Sequence, residues 1–519
     1  MKRLYCSCYL LVLWSLALSA APNSNVQSLA GTWRFQLDPA TKGLSSKWFE
    51  STLAGQIRLP GSTDEAKVSL LNTAKPNLDG LYRLRPYFGP AWYQRDLEIP
   101  AGWSGKRVRL FIERAHWETQ AWLDGKPLGS QDSLISPQTY ELGSDLAPGK
   151  HQLTLCVNNQ LKYNLGWFVS IHYEGTQTSW NGMIGRIELQ ALDPVSIEDL
   201  RVYPEVDRNM ARVKFRLANP AGQSGSSQLL VSAADPRTGQ TVGSRTTDVR
   251  WTGTETTGEV ELPMGSKVNL WDEFLPALYD LTATLTTARG GQKLIDTKSL
   301  TFGMRKLTVC GTQFVMNDRP LFLRGTLECG IFPLTGYPPS TVPEWQRVFR
   351  VLKSYGLNFI RFHSWCPPEA AFAAADVEGI YIQAEGPEAN IIVGNTPELD
   401  AFMEQELLRM VRTYGNHPSF CLMTLGNEHS GVHQHLDRWV DILVREDPRH
   451  FYSSSSAGEA TANRQFTESD PRGVHGPGTD KDFGDTISKQ DRPLIGHEIG
   501  QWTFYPDFNE IKKYTGVLA

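Results

Sequence analysis

The sequence predicts a multidomain β plus α/β protein: two β-sandwiches, then a (β/α)8-type barrel lacking its last strand. Three observations predict it. Roughly the first 300 residues alternate apolar and polar with period two between turn residues. After Phe302-Gly-Met-Arg305, short apolar runs alternate with helical segments. That βα rhythm stops after its seventh strand.

The elements follow in order. Residues 1–21 read as a signal peptide: Lys2 and Arg3 are basic, Tyr9 to Leu18 is apolar, and Ser19-Ala-Ala21 supplies small residues for cleavage. No Cys sits at the cleavage position and no later segment is long and apolar, so a secreted or periplasmic protein without membrane insertion is expected. Residues 22–193 form the first sandwich. Its strands include Ala91 to Ile99, Arg107 to Ile112 and His151 to Val157, and Thr119 to Gly125 runs into a hairpin turn at Asp124-Gly125. Residues 194–303 form the second, with Arg212 to Leu217 and Tyr279 to Leu285 as its clearest strands. Its length of about a hundred residues suits an immunoglobulin-like β-sandwich. The polar stretch Ala221 to Ser227 reads as a loop.

Residues 304–519 carry the βα units. Strands are expected at Leu321–Leu327, Asn358–His363, Gly379–Gln383, Ser419–Leu425, Phe451–Ser454, somewhere in 465–475, and Pro493–Gly496. Helices are expected at Pro343–Ser354, Pro368–Val377, Pro397–Tyr414 and Leu436–Arg445, and Glu510–Leu518 reads as the start of a seventh. About 200 residues from Leu321 onward fall short of the ~250 of a usual barrel, and no eighth strand follows Trp502. The expectation is a truncated gene or fragment, or a barrel closed by another element.

Composition excludes several classes. The chain has 519 residues, 40% of them hydrophobic, and a net charge of −5, which points to neither nucleic acid nor an anionic membrane. Fifteen Trp and 17 Tyr fill sandwich cores or stack on the C–H faces of sugars. Beyond the signal, Cys156, Cys310, Cys329, Cys366 and Cys421 are scattered and odd in number, so they read as small buried hydrophobes rather than a disulfide framework. His497-Glu498-Ile-Gly-Gln501 lacks the second His of a zinc-protease motif. His429, His433 and His435 cluster without a fixed further ligand, so no metal or cofactor is expected.

Two glutamates carry the functional reading. Glu428, in Leu425-Gly-Asn-Glu-His429, and Glu498, in Leu494-Ile-Gly-His-Glu498, each end an apolar strand, where an α/β barrel keeps its chemistry. About 70 residues separate them, room for three βα units, which puts them on the fourth and seventh strands across one mouth. Hydrolysis of a glycosidic bond needs one carboxylic acid to protonate the leaving oxygen and one carboxylate to attack or to activate water; a spacing of about 5–5.5 Å gives retention. Asn427 is placed to bond a sugar 2-hydroxyl, and Arg361, at the end of the second strand, to orient the attacking carboxylate. His363 and His497 are expected to orient carboxylates or hydroxyls or to pack. Glu385 is open to structural support or substrate contact, and Trp365 and Trp502 to sugar contact or rim packing.

In this order, Gly31-Thr-Trp-Arg-Phe35, Leu59-Pro-Gly-Ser62, Trp92-Tyr-Gln-Arg95, Trp122-Leu-Asp-Gly125, Gly182-Met-Ile-Gly-Arg186, Leu270-Trp271, Phe302-Gly-Met-Arg305, Leu323-Arg-Gly325 and Gly426-Asn-Glu428 resemble glycoside hydrolase family 2, the β-galactosidase and β-glucuronidase family. The resemblance covers nearly all of the chain after the signal. It implies a jelly-roll sugar-binding domain at 22–193, an immunoglobulin-like domain at 194–303 and an incomplete (β/α)8 catalytic domain at 304–519. It implies Glu428 as acid/base and Glu498 as nucleophile, supported by Asn427 and Arg361, and an oligosaccharide or polysaccharide-derived glycoside as substrate. The context Gly496-His-Glu-Ile-Gly-Gln-Trp502 departs from the family's usual Glu-Phe-Gly or Glu-Tyr-Gly. A noncatalytic carbohydrate-binding remnant is the competing reading. Galactoside, glucuronide and mannoside all stay open, as does homo-oligomerisation.

Overall fold

The structure, a computed structural model, describes residues 25–75, 82–144, 146–167, 169–173, 179–332, 335–458, 460–469, 484–498 and 507–515. The expected signal peptide, residues 1–21, and Trp502 lie outside them.

Two antiparallel sheets make up the first region. One has five strands: Val26–Ser28, Gly182–Leu192, Arg107–His116 and Gln138–Gly143 in that order, with Gly61–Ser62 paired to Gly182–Leu192. The other runs Gly55–Leu59, Gly31–Leu37, Pro90–Ile99, Gly149–Asn158, Glu118–Leu123, Lys126–Asp132. Alternate residues of both, among them Trp33, Tyr93, Leu110, Ile112, Leu155 and Leu189, fill one core. The opposite face of the second sheet is apolar too. There Trp92 and Trp122 stack at 5.1 Å under Trp48 and Phe49, which is why the run Ala91-Trp-Tyr93 is apolar on both faces.

The second region pairs a three-stranded sheet (Ser196–Glu205, Met210–Ala218, Glu255–Pro263) with a four-stranded one (Gln240–Trp251, Gly225–Asp235, Tyr279–Arg289, Gln292–Phe302). Leu200, Val213 and Val260 of one meet Leu229, Val231 and Leu281 of the other in a separate core. The expected loop ends early, because Gly225 to Ser227 already pair with Trp251 to Val249. A Cβ at Gly225 would lie 2.4 Å from the Trp251 ring, so a polar, glycine-bearing segment reads as a loop yet slides beneath the indole as strand.

The third region carries a parallel sheet. Its strands are β1 (Gly325–Glu328), β2 (Phe359–Phe362), β3 (Tyr381–Glu385), β4 (Phe420–Thr424) and β5 (Phe451–Ser453), each beside its predecessor. β6 (Thr467–Ser469) and β7 (Leu494–Gly496) pair with each other as a second parallel ladder. Among the described residues no backbone ladder joins β5 to β6; single bonds link β5 to the residues before β6, Gln465 N donating to Tyr452 O at 2.8 Å and Ser453 Oγ to Phe466 O at 2.9 Å. Helices α1 (Val342–Ser354), α2 (Glu369–Glu378), α3 (Pro397–Tyr414) and α4 (His433–Glu446) bury Trp345, Phe349, Phe372, Leu407, Trp439 and Leu443 against the strands. A fifth, short helix spans Gly484–Ser488. The first strand starts at Gly325 and not at Leu321. An antiparallel hairpin, Leu307–Cys310, Gln313–Met316 and Arg319–Pro320, precedes it and packs Phe314 and Met316 with Phe359, Tyr381, Leu422 and Phe466. Phe508–Lys513 is a 3-10 turn rather than a helix start. Cys156, Cys366 and Cys421 are buried as expected, but Cys310 is exposed at the end of its hairpin strand and Cys329 is half-buried. No helix among the described residues is long and apolar enough to cross a membrane.

The regions are tied by buried polar groups. Arg114 of the first sandwich donates to Cys366 O at 2.8 Å, Pro367 O at 3.1 Å and Tyr414 Oη at 2.9 Å. Glu406 on α3 accepts from Leu134 N at 2.8 Å and Ser133 Oγ at 3.0 Å. Trp271 of the second sandwich donates Nε1–H to Asp376 O at 2.8 Å.

Candidate active site

The site forms beyond the carboxyl ends of β2 to β5 and β7. There the parallel sheet continues as single bridges, Gly166 to Ala389, Ala389 to Asn427, and Asn427 to Ser456. Asn427 N donates to Glu388 O at 3.0 Å, Asn390 N to Asn427 O at 2.9 Å and Glu428 N to Ser456 O at 2.8 Å. A loop of the first sandwich is thereby the outermost member of the mouth. Gly166 permits it: its φ is +97°, and a Cβ there would sit 1.5 Å from Ala389 O. Gly426 permits the next approach, since its Cβ would lie 2.6 Å from the Glu388 side chain.

Arg361 organises the interior. Its guanidinium donates Nε–H to Glu385 Oε1 at 2.5 Å, Nη1–H to Glu498 Oε1 at 3.2 Å, and Nη2–H to Asn427 Oδ1 at 2.7 Å and Glu385 Oε2 at 3.2 Å. Glu385 is fully buried and Arg361 nearly so. Such a buried pair is sound only because every oxygen finds a donor. Ser456 Oγ adds 2.5 Å and Gln383 Nε2 3.2 Å to Glu385 Oε1. Burial works to neutralise Glu385, but the Arg361 charge and its hydrogen bonds hold the carboxyl below its ordinary pKa. Burial likewise opposes the Arg361 charge, and the surrounding carboxylates outweigh it.

Glu498, after β7, meets three basic groups through one oxygen: Arg361, His363 Nε2 at 3.8 Å and His497 Nε2 at 3.7 Å. His497 Nε2 also approaches Asn427 Oδ1 at 3.3 Å. Burial and then Arg361 push the His363 pKa below the usual histidine value, against the pull of Glu385, Glu498 and Glu428. Both Glu428 and Glu498 thus act on one imidazole. Ser170 of the first sandwich lies 3.4 Å from His363 Nδ1.

Glu428 has φ 49°, a left-handed conformation that costs a side-chain-bearing residue roughly 1–2 kcal/mol. Its neighbours hold it there. Asn390, itself at φ 57°, donates Nδ2–H to Glu428 Oε2 at 3.0 Å. His429 turns inward, donates to Ser454 O and places Nδ1 3.3 Å from Glu388 Oε1, both side chains fully buried. Burial raises the Glu388 pKa, and His429 only partly offsets it.

The structure joins Glu498, Asn427, Arg361, His363, His497 and Glu385 in one network, and Glu428 reaches it through its charge on His363. Glu385 takes the supporting role, buried behind Arg361. Trp365 is fully buried and packs edge-on against Phe362 at 5.2 Å, so it is not a rim residue. The three histidines after Glu428 do not converge: His429 is buried, His433 begins α4, and His435 reaches toward Asp400 at 3.9 Å. Among the described residues no group of three or more His, Cys, Asp or Glu is arranged to hold a metal ion. Sequence reasoning missed Ser456, Gln383, Asn390, Glu388 and Glu468. Glu468, on β6, is buried beside this network, and burial raises its pKa to about 7 against the opposing charge of Arg361. Its position in the weak strand expected within 465–475 was the available signal.

The model of glycosyl hydrolases family 2 matches residues 195–305, and that of the same family's sugar binding domain matches residues 26–182. Beta-galactosidase 2 of Enterobacter cloacae is 23% identical over 470 residues, 86% of this chain and 44% of that protein. The beta-glucuronidase of Paenibacillus borealis is 23% identical over 432 residues, 78% of this chain and 67% of that one. The chain thus spans under half of the first relative and about two thirds of the second. The solved β-glucuronidase of Ruminococcus gnavus in complex with a C6-substituted uronic isofagomine shares the fold, with a TM-score of 0.74 at 20% identity over 93% of this chain and 85% of that one. The chain belongs to glycosyl hydrolases family 2.

Proposed function

We propose that this protein is an exported hydrolase that cleaves terminal β-glycosidic bonds with retention of configuration, Glu428 acting as acid/base and Glu498 as nucleophile. The observation that carries the reading is the Arg361 fork, which bonds Glu498, Asn427 and Glu385 at the carboxyl ends of parallel strands. Domain limits at 22–193 (jelly roll), 194–303 (immunoglobulin-like) and 304–519 (catalytic (β/α)8-type barrel) belong to the same proposal. So does removal of residues 1–21 on the way to a secreted or periplasmic location.

In the first step a Glu498 oxygen attacks the anomeric carbon, the bond to the leaving oxygen breaks, and that oxygen takes the proton of Glu428. In the second, water attacks the glycosyl ester, Glu428 takes the water proton, and the Glu498 carboxylate departs. Arg361 supplies a counter-charge to the attacking oxygen, and its grip on Asn427 Oδ1 leaves the Asn427 amide hydrogens for a sugar 2-hydroxyl. Asn390 aims the Glu428 carboxyl. Galactose, glucuronic acid and mannose are the sugars to test.

The experiment is hydrolysis of nitrophenyl β-glycosides of those three sugars, with NMR of the first-formed anomer. Glu498→Gln abolishes turnover by removing the nucleophile, and Glu428→Gln does so because the glycosyl ester, once formed with loss of nitrophenolate, lacks the base that activates water; near-normal rates in both overturn the assignment. A folded wild-type protein that binds sugar without turnover is the noncatalytic remnant instead.

A further inference from the structure

A groove opens beside the acid side of the site. Tyr163, Asn164 and Trp167 of the first sandwich line one wall, and Asn390, Asn395 and Thr396, after β3, line the other. The walls are fixed to each other by the Gly166 to Ala389 bridge and by Ala389 N donating to Leu165 O at 2.9 Å. Tyr163 is held in turn by stacking on Phe402 at 5.0 Å. Trp167 is 54% exposed, unusual for an indole on a wall so firmly seated.

Position decides what such a groove receives. Asn390 lines it and also donates to Glu428 Oε2 at 3.0 Å. An acid that protonates the leaving oxygen has the leaving group on its own side of the scissile bond. The lining sets a flat aromatic face and aliphatic Ile391 and Ile392 among amides and a hydroxyl, which suits the apolar C–H face and the hydroxyl rim of a pyranose. The one cation in the lining, Lys162, is already paired with Glu118 at 2.6 Å, which favours a neutral ring over an anionic one. Resting on the hydrolase reading above, we infer that this groove is the leaving-group subsite, where a neutral sugar ring stacks on Trp167, and that the substrate is an oligosaccharide rather than the glycoside of a small alcohol.

The test compares two substrates with the same glycone and leaving groups of similar basicity: a methyl β-glycoside and a β-linked disaccharide with a neutral second sugar. Trp167→Ala is expected to lower kcat/KM on the disaccharide about tenfold, through loss of the stacked ring. The methyl glycoside, whose leaving group puts no ring in the groove, stays within about twofold. Trp167→Phe recovers most of the loss. An unchanged disaccharide rate overturns the subsite, as does a methyl glycoside rate that falls in step, which would mean Trp167 acts by positioning Glu428. Wild-type protein inert on nitrophenyl glycosides as well defeats the hydrolase reading itself, and the subsite with it.

Discussion

The two walls of the mouth are built differently. On the Glu428 wall, backbone does the holding: Gly166, Ala389, Asn427 and Ser456 lie side by side as bridged segments, one of them from another domain. On the Glu498 wall, β7 pairs only with β6 among the described residues, and Glu498 is fixed through side chains, chiefly Arg361. The difference teaches that, in the proposed mechanism, the acid's precision would rest on loop packing and the nucleophile's on side chains, Arg361 with His363 and His497. Damage to each wall should therefore leave a distinct signature. A faulty acid slows poor leaving groups most, because a nitrophenolate departs without a proton; a faulty nucleophile slows all substrates alike.

The largest effect is expected at Arg361. Arg361→Met strands the fully buried Glu385 carboxylate, which should cost about 3–5 kcal/mol of stability and lower the melting temperature accordingly. Turnover should fall by ~10²–10³ whatever the leaving group, as for loss of one preorganised donor. The double variant Arg361→Met, Glu385→Gln separates the two roles, recovering stability without activity. Activity that returns with stability would remove Arg361 from the nucleophile wall.

Glu468 sharpens the same wall through pH. Its folded pKa, about 7, stands above the unfolded value of 4.5. The folded state therefore binds more protons across that interval, so the stabilising contribution is whole below pH ~4.5 and is lost as pH rises toward 7. Glu468→Gln should remove up to ~3 kcal/mol of this decline, at 1.36 kcal/mol per pKa unit. Denaturant melts at several pH values read it, and parallel curves for variant and wild type would refute it.

Gly166→Ala probes the acid wall. The added Cβ would meet Ala389 O at 1.5 Å in a left-handed backbone, so the sandwich loop must lift from the loop that carries Asn390. Methyl glycoside hydrolysis should drop about tenfold and dinitrophenyl glycoside hydrolysis less than threefold, as expected for a small misplacement of one catalytic group. Equal losses would show that the loop supports more than the acid.

What was legible in the sequence divides along the same line. Glu428, Asn427, Arg361 and Glu498 were readable because each lies near or just beyond the carboxyl end of an apolar strand, and strand ends in a parallel βα array are where side chains converge. Helix α3 was readable from Pro397 to Tyr414 because proline opens it and an apolar stripe runs its length. Ser456, Asn390 and Gly166 were not, since they lie in loops with no period and their meaning arises only when segments far apart in sequence are bridged. The hairpin under the sheet escaped because Phe314 and Met316 are short apolar runs, equally fit for a strand of the main sheet. Trp365 misled because a tryptophan after a strand looks like a rim residue until helix packing buries it.

The smallest effect belongs to Ser456, which serves both walls by different atoms. Its backbone carries the bridge to Asn427 and accepts from Glu428 N, while its hydroxyl donates to Glu385. Ser456→Ala removes only the hydroxyl. Because that bond is to a charged, buried oxygen, a loss of roughly 1.5–3 kcal/mol at most is expected, and less if Gln383 Nε2 turns further toward Glu385. Turnover should fall a few-fold, by the same factor for methyl and nitrophenyl glycosides, since the side chain touches the Arg361 network and not the acid. A loss confined to the poor leaving group would mean that the hydroxyl steers Glu428, and that the two walls are one mechanical unit.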